Sequence, residues 1–267
     1  MTDLQAAAQR FARSGAQAVL SARRNGFTTQ RKTRHDIVTG ADRASEAAIR
    51  NALARERPAD AVVGEEDGGR PAAEGLTWWI DPLDGTHNFA AGSRRWCVSV
   101  AVCDRDGVSL AAAVAAPDEE VSFGASRGRG ALCNDQPLRC EGPTRLSDAL
   151  VASGFGHRPG WSNNVGEWGR VAPRVRGVRC SGSAALDLCD IARGQLDGYW
   201  EQGLAGWDTA AGALIAREAG AVVVDLHGHV VEGPVPTLMA AAPTIADELM
   251  HLLRPDQTDP RTGAHER

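Results

Sequence analysis

Short apolar runs alternate with helical patterns, and this alternation constrains the fold more than any other feature of the sequence. In the second half of the chain, ALVASG, DGYW, AVVVD and TLMAAA are typical of strands. Between them, SAALDLCDIARG and DTAAGALIAREAG have the pattern of helices that stop at Gly194 and Gly220. The alternation predicts an α/β protein with layered helices and mixed sheets.

The first half begins with a helix that the spacing of apolar residues carries to about Arg23. The polar segment TTQRKTRHDIVTGAD follows as a loop or hairpin arm, and a second helix ends at Pro58. Short strands are then predicted at AVV, WWI, WCVSVAV, SLAAAVAA and EVSFGA. Further helices are predicted near Trp161–Val175 and in APTIADELMHLL.

The length of 267 residues suits one domain over 1–255, made of two packed lobes at approximately 1–145 and 146–255. The tail, 256–267, is polar and without periodicity, so we expect it to be disordered.

The composition is mildly acidic, with a net charge of -5 and a pI near 5.8. This balance gives no support for a nucleic-acid partner or a membrane partner. The six cysteines form no close Cys-x-x-Cys pair, so we expect reduced thiols in a cytoplasmic protein. The N-terminus has no apolar segment typical of a signal peptide.

Acidic residues follow two of the predicted strands directly. Glu65 and Glu66 follow AVVG, and Asp81 and Asp84 follow WWI. Because ligands collect at the carboxyl ends of strands in open α/β sheets, Glu65, Asp81 and Asp84 are expected to lie close together. Clustered carboxylates repel one another unless cations neutralise them, and their hard oxygens suit Mg²⁺. The alternative is that these acids are ordinary turn residues.

The segment Asp81-Pro82-Leu83-Asp84-Gly85-Thr86 also bears on the mechanism. Haloacid-dehalogenase-type phosphatases place a nucleophilic Asp two positions before the Asp of Asp-Gly-Thr. Pro82 holds that position here and cannot attack phosphorus, which disfavours a covalent aspartyl-phosphate mechanism.

Five motifs together resemble the inositol monophosphatase family of Mg²⁺-dependent, lithium-sensitive sugar phosphatases. They are DIVTGAD, GEE, DPLDGT, GSAALDLC and YWEQGLAGWDTAAGALIAREAG, in the order of that family and spread over most of the chain. The resemblance implies alternating α-β-α-β-α layers and a phosphoric monoester hydrolase that uses two or three Mg²⁺ ions. It also implies a homodimer and a small phosphorylated polyol as the substrate.

The resemblance implies a role for each matching residue. Metal ligands would be the side chains of Glu65, Asp81, Asp84 and Asp208 and the carbonyl of Leu83. Glu65 and Thr86 would orient the attacking water, with Asp42 behind Thr86 as the proton acceptor. Asp84, Gly85, Thr86, Ser183, Ala184, Glu201 and Asp208 would bind the substrate, the amides of Gly85 and Thr86 holding the phosphate.

Other roles stay open for several of these residues. Asp208 also suits a helix N-cap, Asp42 a solvated first turn, and Glu201 an ordinary surface position. Arg94 and Arg95 depart from the family pattern and are interpreted as a solvated loop pair rather than as phosphate contacts. His87 is interpreted as inert rather than as a gate for the substrate.

The predicted function is hydrolysis of inositol monophosphate by metal-activated water. The alternatives are a histidinol-phosphate phosphatase or another small sugar or nucleotide phosphatase, and a non-catalytic regulatory protein on the same fold.

Overall fold

The computed structural model describes residues 2–155 and 163–254, and its helices surround and separate two sheets. The α-helices are α1 (Asp3–Asn25), α2 (Gly40–Glu56), α3 (Thr86–Ala90), α4 (Val165–Val171), α5 (Ala184–Ala192), α6 (Gly206–Glu218) and α7 (Ala246–Leu253).

The strands form a short hairpin and two larger sheets. The hairpin pairs β1 (Thr29–Arg31) with β2 (Ile37–Thr39) in antiparallel fashion. The first sheet has the order of the chain: β3 (Ala61–Gly64), β4 (Thr77–Asp84), β5 (Cys97–Cys103), β6 (Ser109–Ala116), β7 (Val121–Ser126), β8 (Ala131–Cys133) and β9 (Gln136–Pro137). The second has the order β11-β10-β12-β14-β13, from β10 (Leu150–Ser153), β11 (Gly177–Arg179), β12 (Gly198–Gln202), β13 (Val222–Val224) and β14 (Thr237–Ala241).

Both sheets are mixed. In the first, β3 and β4 are parallel, and every later pair is antiparallel. In the second, β10 lies parallel to β11 and β12, whereas β14 lies antiparallel to β12 and β13. The parallel β3–β4 pair has a direct consequence for function, because it brings the carboxyl ends of these two strands to the same edge of the sheet.

Four apolar interfaces stack the elements into five layers. The first lies between α1 and α2 and one face of the first sheet, and the second lies between the other face and α5 and α6. The third joins α5 and α6 to the second sheet, whose far face packs on α4 and α7. Alternate residues of β12 show this order, since Tyr199 faces α5 and α6 while Trp200 faces α4 and α7. The predicted α-β-α-β-α arrangement is confirmed.

The central helix layer depends on small side chains. A Cβ atom on Gly212 of α6 would lie 2.7 Å from the Cβ atom of Leu188 on α5, so the two helices approach too closely for a larger residue. Alanines are four of the eight buried residues of α6. This close approach lets two sheets pack on one thin helical layer.

Most of the predicted elements are confirmed within a few residues. The helix predicted over Trp161–Val175 is shorter, because α4 covers Val165–Val171 and a 3₁₀ turn follows at Ala172–Arg174. The predicted disordered tail, 256–267, lies outside the described residues, and the division into two lobes stays a prediction. Within the described ranges no helix has the length and apolar character to cross a membrane. All six cysteines are free, as expected.

Candidate active site

Glu65 and Asp81 are neighbours at the edge where β3 and β4 end. The parallel register pairs Gly64 with Ile80, and the Glu65 amide donates to the Ile80 carbonyl at 3.2 Å. Asp81 is only 2% exposed, and its Oδ1 accepts a hydrogen bond from the Leu83 amide at 3.0 Å. The two acidic positions therefore meet as the sequence predicts, although β4 continues past Asp81 to Asp84 with an irregular register between them.

The chain turns sharply after Asp84 and starts α3 at Thr86. Gly85 makes this turn with φ of +89°, and a Cβ atom there would lie 2.8 Å from the Arg95 carbonyl oxygen. The Asn88 side chain of α3 joins this turn to two loops, because its Nδ2 donates to the carbonyls of Arg95 and Ser181 at 2.8 Å each. The turn is thus clamped between two loops.

The Thr86 side chain connects this turn to α2. Its Oγ1 lies 2.9 Å from Asp42 Oδ1 and 3.0 Å from the Leu83 carbonyl oxygen. Asp42 is fully buried, and its Oδ2 accepts from the amide and hydroxyl of Thr39 in a capping box. The interpretation of Asp42 as a solvated residue is therefore wrong, because packing and three hydrogen bonds enclose its carboxylate.

Asp84 connects the same turn to the N-terminus of α5. Its Oδ2 accepts from the Ser183 hydroxyl at 2.6 Å and from the Ala185 amide at 2.8 Å. Burial raises the pKa of Asp84, and the hydrogen bonds from Ser183 and Ala185 oppose that rise. Both bonds use Oδ2, and Asp84 also lines a cavity.

Asp208 lies in the first turn of α6, where its Oδ2 accepts from the Ala205 amide at 2.6 Å. It is the third residue of the helix rather than its N-cap, and it reaches back to the N-cap amide as the acid of a capping box does. The same residue lines the cavity with Asp84. Capping and a position at the site are therefore compatible in Asp208.

The carboxylates are close enough to affect one another. Burial raises the pKa of Asp81 well above its ordinary value, and the charges of Glu65, Asp84 and Asp208 raise it further. Such a set of hard oxygen donors with excess negative charge fits a divalent cation such as Mg²⁺. Among residues 2–155 and 163–254, however, no three His, Cys, Asp or Glu side chains are arranged around one point as metal ligands.

Lys32 supplies a positive charge at this edge. It extends from the hairpin after β1, and its Nζ donates to Glu65 Oε1 at 2.8 Å and also to the Glu66 carboxylate. Burial raises the pKa of Glu65, and Lys32 opposes that rise. The sequence left the role of this hairpin open, and the structure brings it over the end of β3.

A cavity of about 310 Å³ extends from Asp84 and Asp208 toward the second sheet. Gly182, Ser183 and Ala184 form one wall, and Glu201 forms another. The remaining lining residues are Gly154, Phe155, Cys180, Asp187 and Leu204. The cavity therefore brings together the predicted substrate residues from α5, β12 and α6.

Glu201 is held firmly inside this cavity rather than on an open surface. The Tyr199 hydroxyl donates to its Oε2 at 2.5 Å, and the Gly154 amide donates to the same carboxylate. Burial raises the pKa of Glu201 to about 7, with further increases from the charges of Asp187 and Asp84. The interpretation of Glu201 as an ordinary surface residue is wrong.

Arg94 and Arg95 behave differently from each other. Arg94 is exposed, and its Nε donates to the Asp118 carbonyl at 2.6 Å. Arg95 has a side chain that is 20% exposed and that pairs with Asp187 and Asp190 at 2.7 and 2.6 Å. The solvated interpretation is wrong for Arg95, because the carboxylates of α5 draw its guanidinium inward. His87 is exposed on α3.

Asp187 is the acidic cavity residue that was not predicted from the sequence. It follows Ser183 by four positions on α5, and side chains at this spacing share one face of a helix. That spacing was the available signal, but the aspartate stood inside an apolar helical pattern with no apparent partner. Its partner, Arg95, comes from a loop 92 positions earlier.

Comparisons with known proteins point to one family. The model of the inositol monophosphatase family matches residues 1–258. The inositol-1-monophosphatase SuhB of Mycobacterium tuberculosis is 42% identical over 241 residues, which cover 86% of this chain and 82% of that protein. The Nus factor SuhB of Pseudomonas aeruginosa is 37% identical over 259 residues, covering 91% and 95%.

Solved structures show the same fold. The extragenic suppressor protein suhB from Bartonella henselae superposes with a TM-score of 0.86 at 33% identity, covering 95% of this chain and 99% of that chain. An inositol monophosphatase from Anabaena superposes with a TM-score of 0.81 at 30% identity, covering 93% and 94%.

Proposed function

The chain belongs to the inositol monophosphatase family, and we propose that it hydrolyses inositol monophosphate to inositol and phosphate. Family membership supports a phosphoric monoester hydrolase; the particular substrate is the proposal. One observation carries it: Asp84 and Asp208, whose charges act on the buried Asp81, line the same cavity as Glu201. The phosphate of an ester could therefore lie near Asp84 and Asp208 while its polyol lies against Glu201.

The proposed cofactor is Mg²⁺, as two or three ions. Glu65, Asp81, Asp84 and Asp208 would hold it with their carboxylates, and Leu83 with its carbonyl. When bound, Mg²⁺ would neutralise charge on the ester and favour ionisation of water. The donor chemistry supports this choice, because the set consists entirely of oxygen atoms with excess negative charge.

Thr86 and Asp42 would handle the proton of the attacking water. The Thr86 hydroxyl has one hydrogen, which it donates toward Asp42 Oδ1 or the Leu83 carbonyl. Its oxygen can then accept a hydrogen bond from water and fix the direction of attack. Asp42, enclosed and fixed by Thr39, would receive the proton through this contact.

The phosphate would bind at the turn between β4 and α3. Gly85 permits the left-handed backbone there, so the amides of Gly85 and Thr86 can point toward an anion. On the other side of the cavity, Glu201 and the Ser183–Ala184 corner would receive the polyol. A carboxylate accepts hydrogen bonds only, which matches the hydroxyl groups of a neutral ring.

A substrate panel tests this proposal. Phosphate release from inositol 1-phosphate, histidinol phosphate and 3′-phosphoadenosine 5′-phosphate would be measured with Mg²⁺ and after chelation. We expect metal-dependent release with the highest kcat/KM for inositol 1-phosphate. A preference for histidinol phosphate would instead support an enzyme in which Glu201 pairs with an amine.

One comparison favours a second candidate, a non-catalytic regulatory binding role. The Pseudomonas aeruginosa relative is named a Nus factor. Against this role, each position implied to bind metal keeps a carboxylate or a carbonyl in this chain. Absence of metal-dependent phosphate release from every ester of the panel would favour the regulatory role.

A further inference from the structure

We propose that Asp187 is a specificity-determining residue: a second carboxylate, beside Glu201, that accepts hydrogen bonds from the hydroxyls of the substrate. Arg95 is the positioning residue that holds it. This inference rests on the proposed function and deepens it. It names a residue of the polyol side that neither the motifs nor the comparisons assign.

Asp187 is buried at the wall of the cavity. Its side chain is 4% exposed, yet it lines the cavity that also contains Ser183 and Glu201. Its negative charge raises the pKa of Glu201, so the two carboxylates are close enough to interact. A ring that enters the cavity would therefore meet acceptors from two elements, α5 and β12.

Asp187 belongs to a group of charged side chains. Five side chains form an arginine–carboxylate cluster below the cavity wall: Arg95, Arg193, Glu119, Asp187 and Asp190. Two guanidinium groups thus face three carboxylates. Among the described residues, Arg95 and Arg193 share Glu119 and Asp190. Asp187 forms an ion pair with Arg95 but not with Arg193, and its carboxylate also accepts a hydrogen bond from the Ser181 side chain.

Arg95 holds the Asp187 carboxylate in place. Asp187 Oδ1 accepts from Arg95 Nη2 at 2.7 Å, which fixes the carboxylate against the cavity wall. Carboxylates accept more than one hydrogen bond on each oxygen, so this contact leaves acceptor capacity. Because the carboxylate is held before substrate arrives, a hydroxyl can bind it without the entropy cost of ordering the Asp187 side chain.

Arg95 also joins the two halves of the site. Its carbonyl oxygen packs against Gly85 and accepts from Asn88, while its guanidinium reaches α5. One residue, Arg95, therefore contacts both the turn between β4 and α3 and the α5 side of the cavity. Neighbouring Arg94 points elsewhere, toward Asp118, and offers a natural control for the loss of an arginine at this loop.

The test compares Asp187→Asn with Asp190→Asn. Both changes remove one carboxylate charge from the same helix and the same cluster, but among the two only Asp187 lines the cavity. We expect Asp187→Asn to raise KM for inositol 1-phosphate about tenfold, the loss of roughly one charge-assisted hydrogen bond. Turnover of 4-nitrophenyl phosphate, which has no hydroxyls on its leaving group, should change less than about twofold.

Inositol phosphates that lack single ring hydroxyls sharpen the test. Wild-type enzyme should lose affinity when either of two different hydroxyls is removed. Asp187→Asn should become insensitive to one of these deletions and Glu201→Gln to the other. Arg95→Gln should resemble Asp187→Asn, Arg95→Lys should recover part of the affinity, and Arg94→Gln should behave as wild type.

Several results would overturn the proposal: equal losses on both esters, equal behaviour of Asp187→Asn and Asp190→Asn, or sensitivity of wild type to one hydroxyl only. The last measurement needs no variant, so it can overturn the proposal even if Asp187→Asn does not fold. Failure of the proposed function looks different. If wild type prefers another hydroxylated ester, the same comparison is run on that ester. If it cleaves only esters without hydroxyls, Asp187 has no such role.

Discussion

The Thr86 hydroxyl lies 2.9 Å from Asp42 Oδ1, although 44 positions separate the two residues in sequence. Asp42 uses its other oxygen to cap α2 through Thr39, so one carboxylate both starts a helix and supports the turn after β4. A group fixed in this way cannot rotate away when the charge at the site changes. This rigidity is what a proton acceptor behind a nucleophilic water requires.

Replacing Thr86 tests this relay. Thr86→Val keeps the shape of the side chain but removes the hydroxyl, so we expect kcat to fall about 100-fold or more. Thr86→Ser retains the hydroxyl and should keep kcat within about tenfold of wild type. Steady-state kinetics with saturating Mg²⁺ gives both values, and thermal unfolding verifies that each variant is folded. Similar kcat for Thr86→Val and wild type would remove Thr86 from the proton path.

Asp81 should destabilise the protein when no metal is bound. It is buried beside Glu65, Asp84 and Asp208, and their charges oppose its ionisation. We expect Asp81→Asn to raise the Tm of chelator-treated protein at pH 8 but to abolish both turnover and the stabilisation by Mg²⁺. Wild type should show a Tm that increases with Mg²⁺ concentration.

The control for this experiment is Asp106→Asn, which changes an acid whose side chain is 76% exposed. It should leave the response to Mg²⁺ unchanged. A normal increase of Tm with Mg²⁺ in Asp81→Asn would contradict the assignment of Asp81 as a metal ligand.

Glu201 should make stability depend on pH. Burial raises its pKa to about 7, above the ordinary value of 4.5. The folded state therefore binds this proton more tightly than the unfolded state does. The protonated Glu201 therefore contributes stability that is fully present below pH 4.5 and is lost as pH rises through 7. Glutamine does not titrate, so Glu201→Gln should gain stability relative to wild type between pH 5 and pH 8, by on the order of 2 kcal/mol.

Denaturant unfolding at several pH values measures this difference directly. The same variant should have a higher KM for inositol 1-phosphate, with a much smaller effect on an aryl phosphate. Stability and recognition would then change in opposite directions, as expected where a buried carboxylate is kept for function. A stability difference that does not vary with pH would contradict the shifted pKa of Glu201.

The sequence predicts the parts of this site that depend on local pattern. Apolar strands ending in acid predict that Glu65 and Asp81 meet, because parallel neighbours share an edge. The pairing of Arg95 with Asp187 was not predictable in this way. It depends on how a loop after α3 packs against α5, and nothing in the local sequence of either segment specifies the other. The same holds for Lys32, whose hairpin folds over β3 through tertiary contacts alone.

Gly85 should be required for its space as well as for its backbone angle. A Cβ atom there would lie 2.8 Å from the Arg95 carbonyl oxygen, and the residue has φ of +89°. Gly92 shares the second property, with φ of +79°, but a Cβ atom on it would meet nothing within 4 Å. Gly92→Ala should therefore cost about 1 kcal/mol of stability from backbone strain alone, with kcat unchanged. Gly85→Ala should cost more and should also lower kcat at least about tenfold, because the turn must move away from Arg95 and carry Thr86 with it. Parallel measurements of unfolding free energy and kcat on the two variants separate strain from displacement, and equal effects of the two substitutions would mean that the contact with Arg95 does not position the turn.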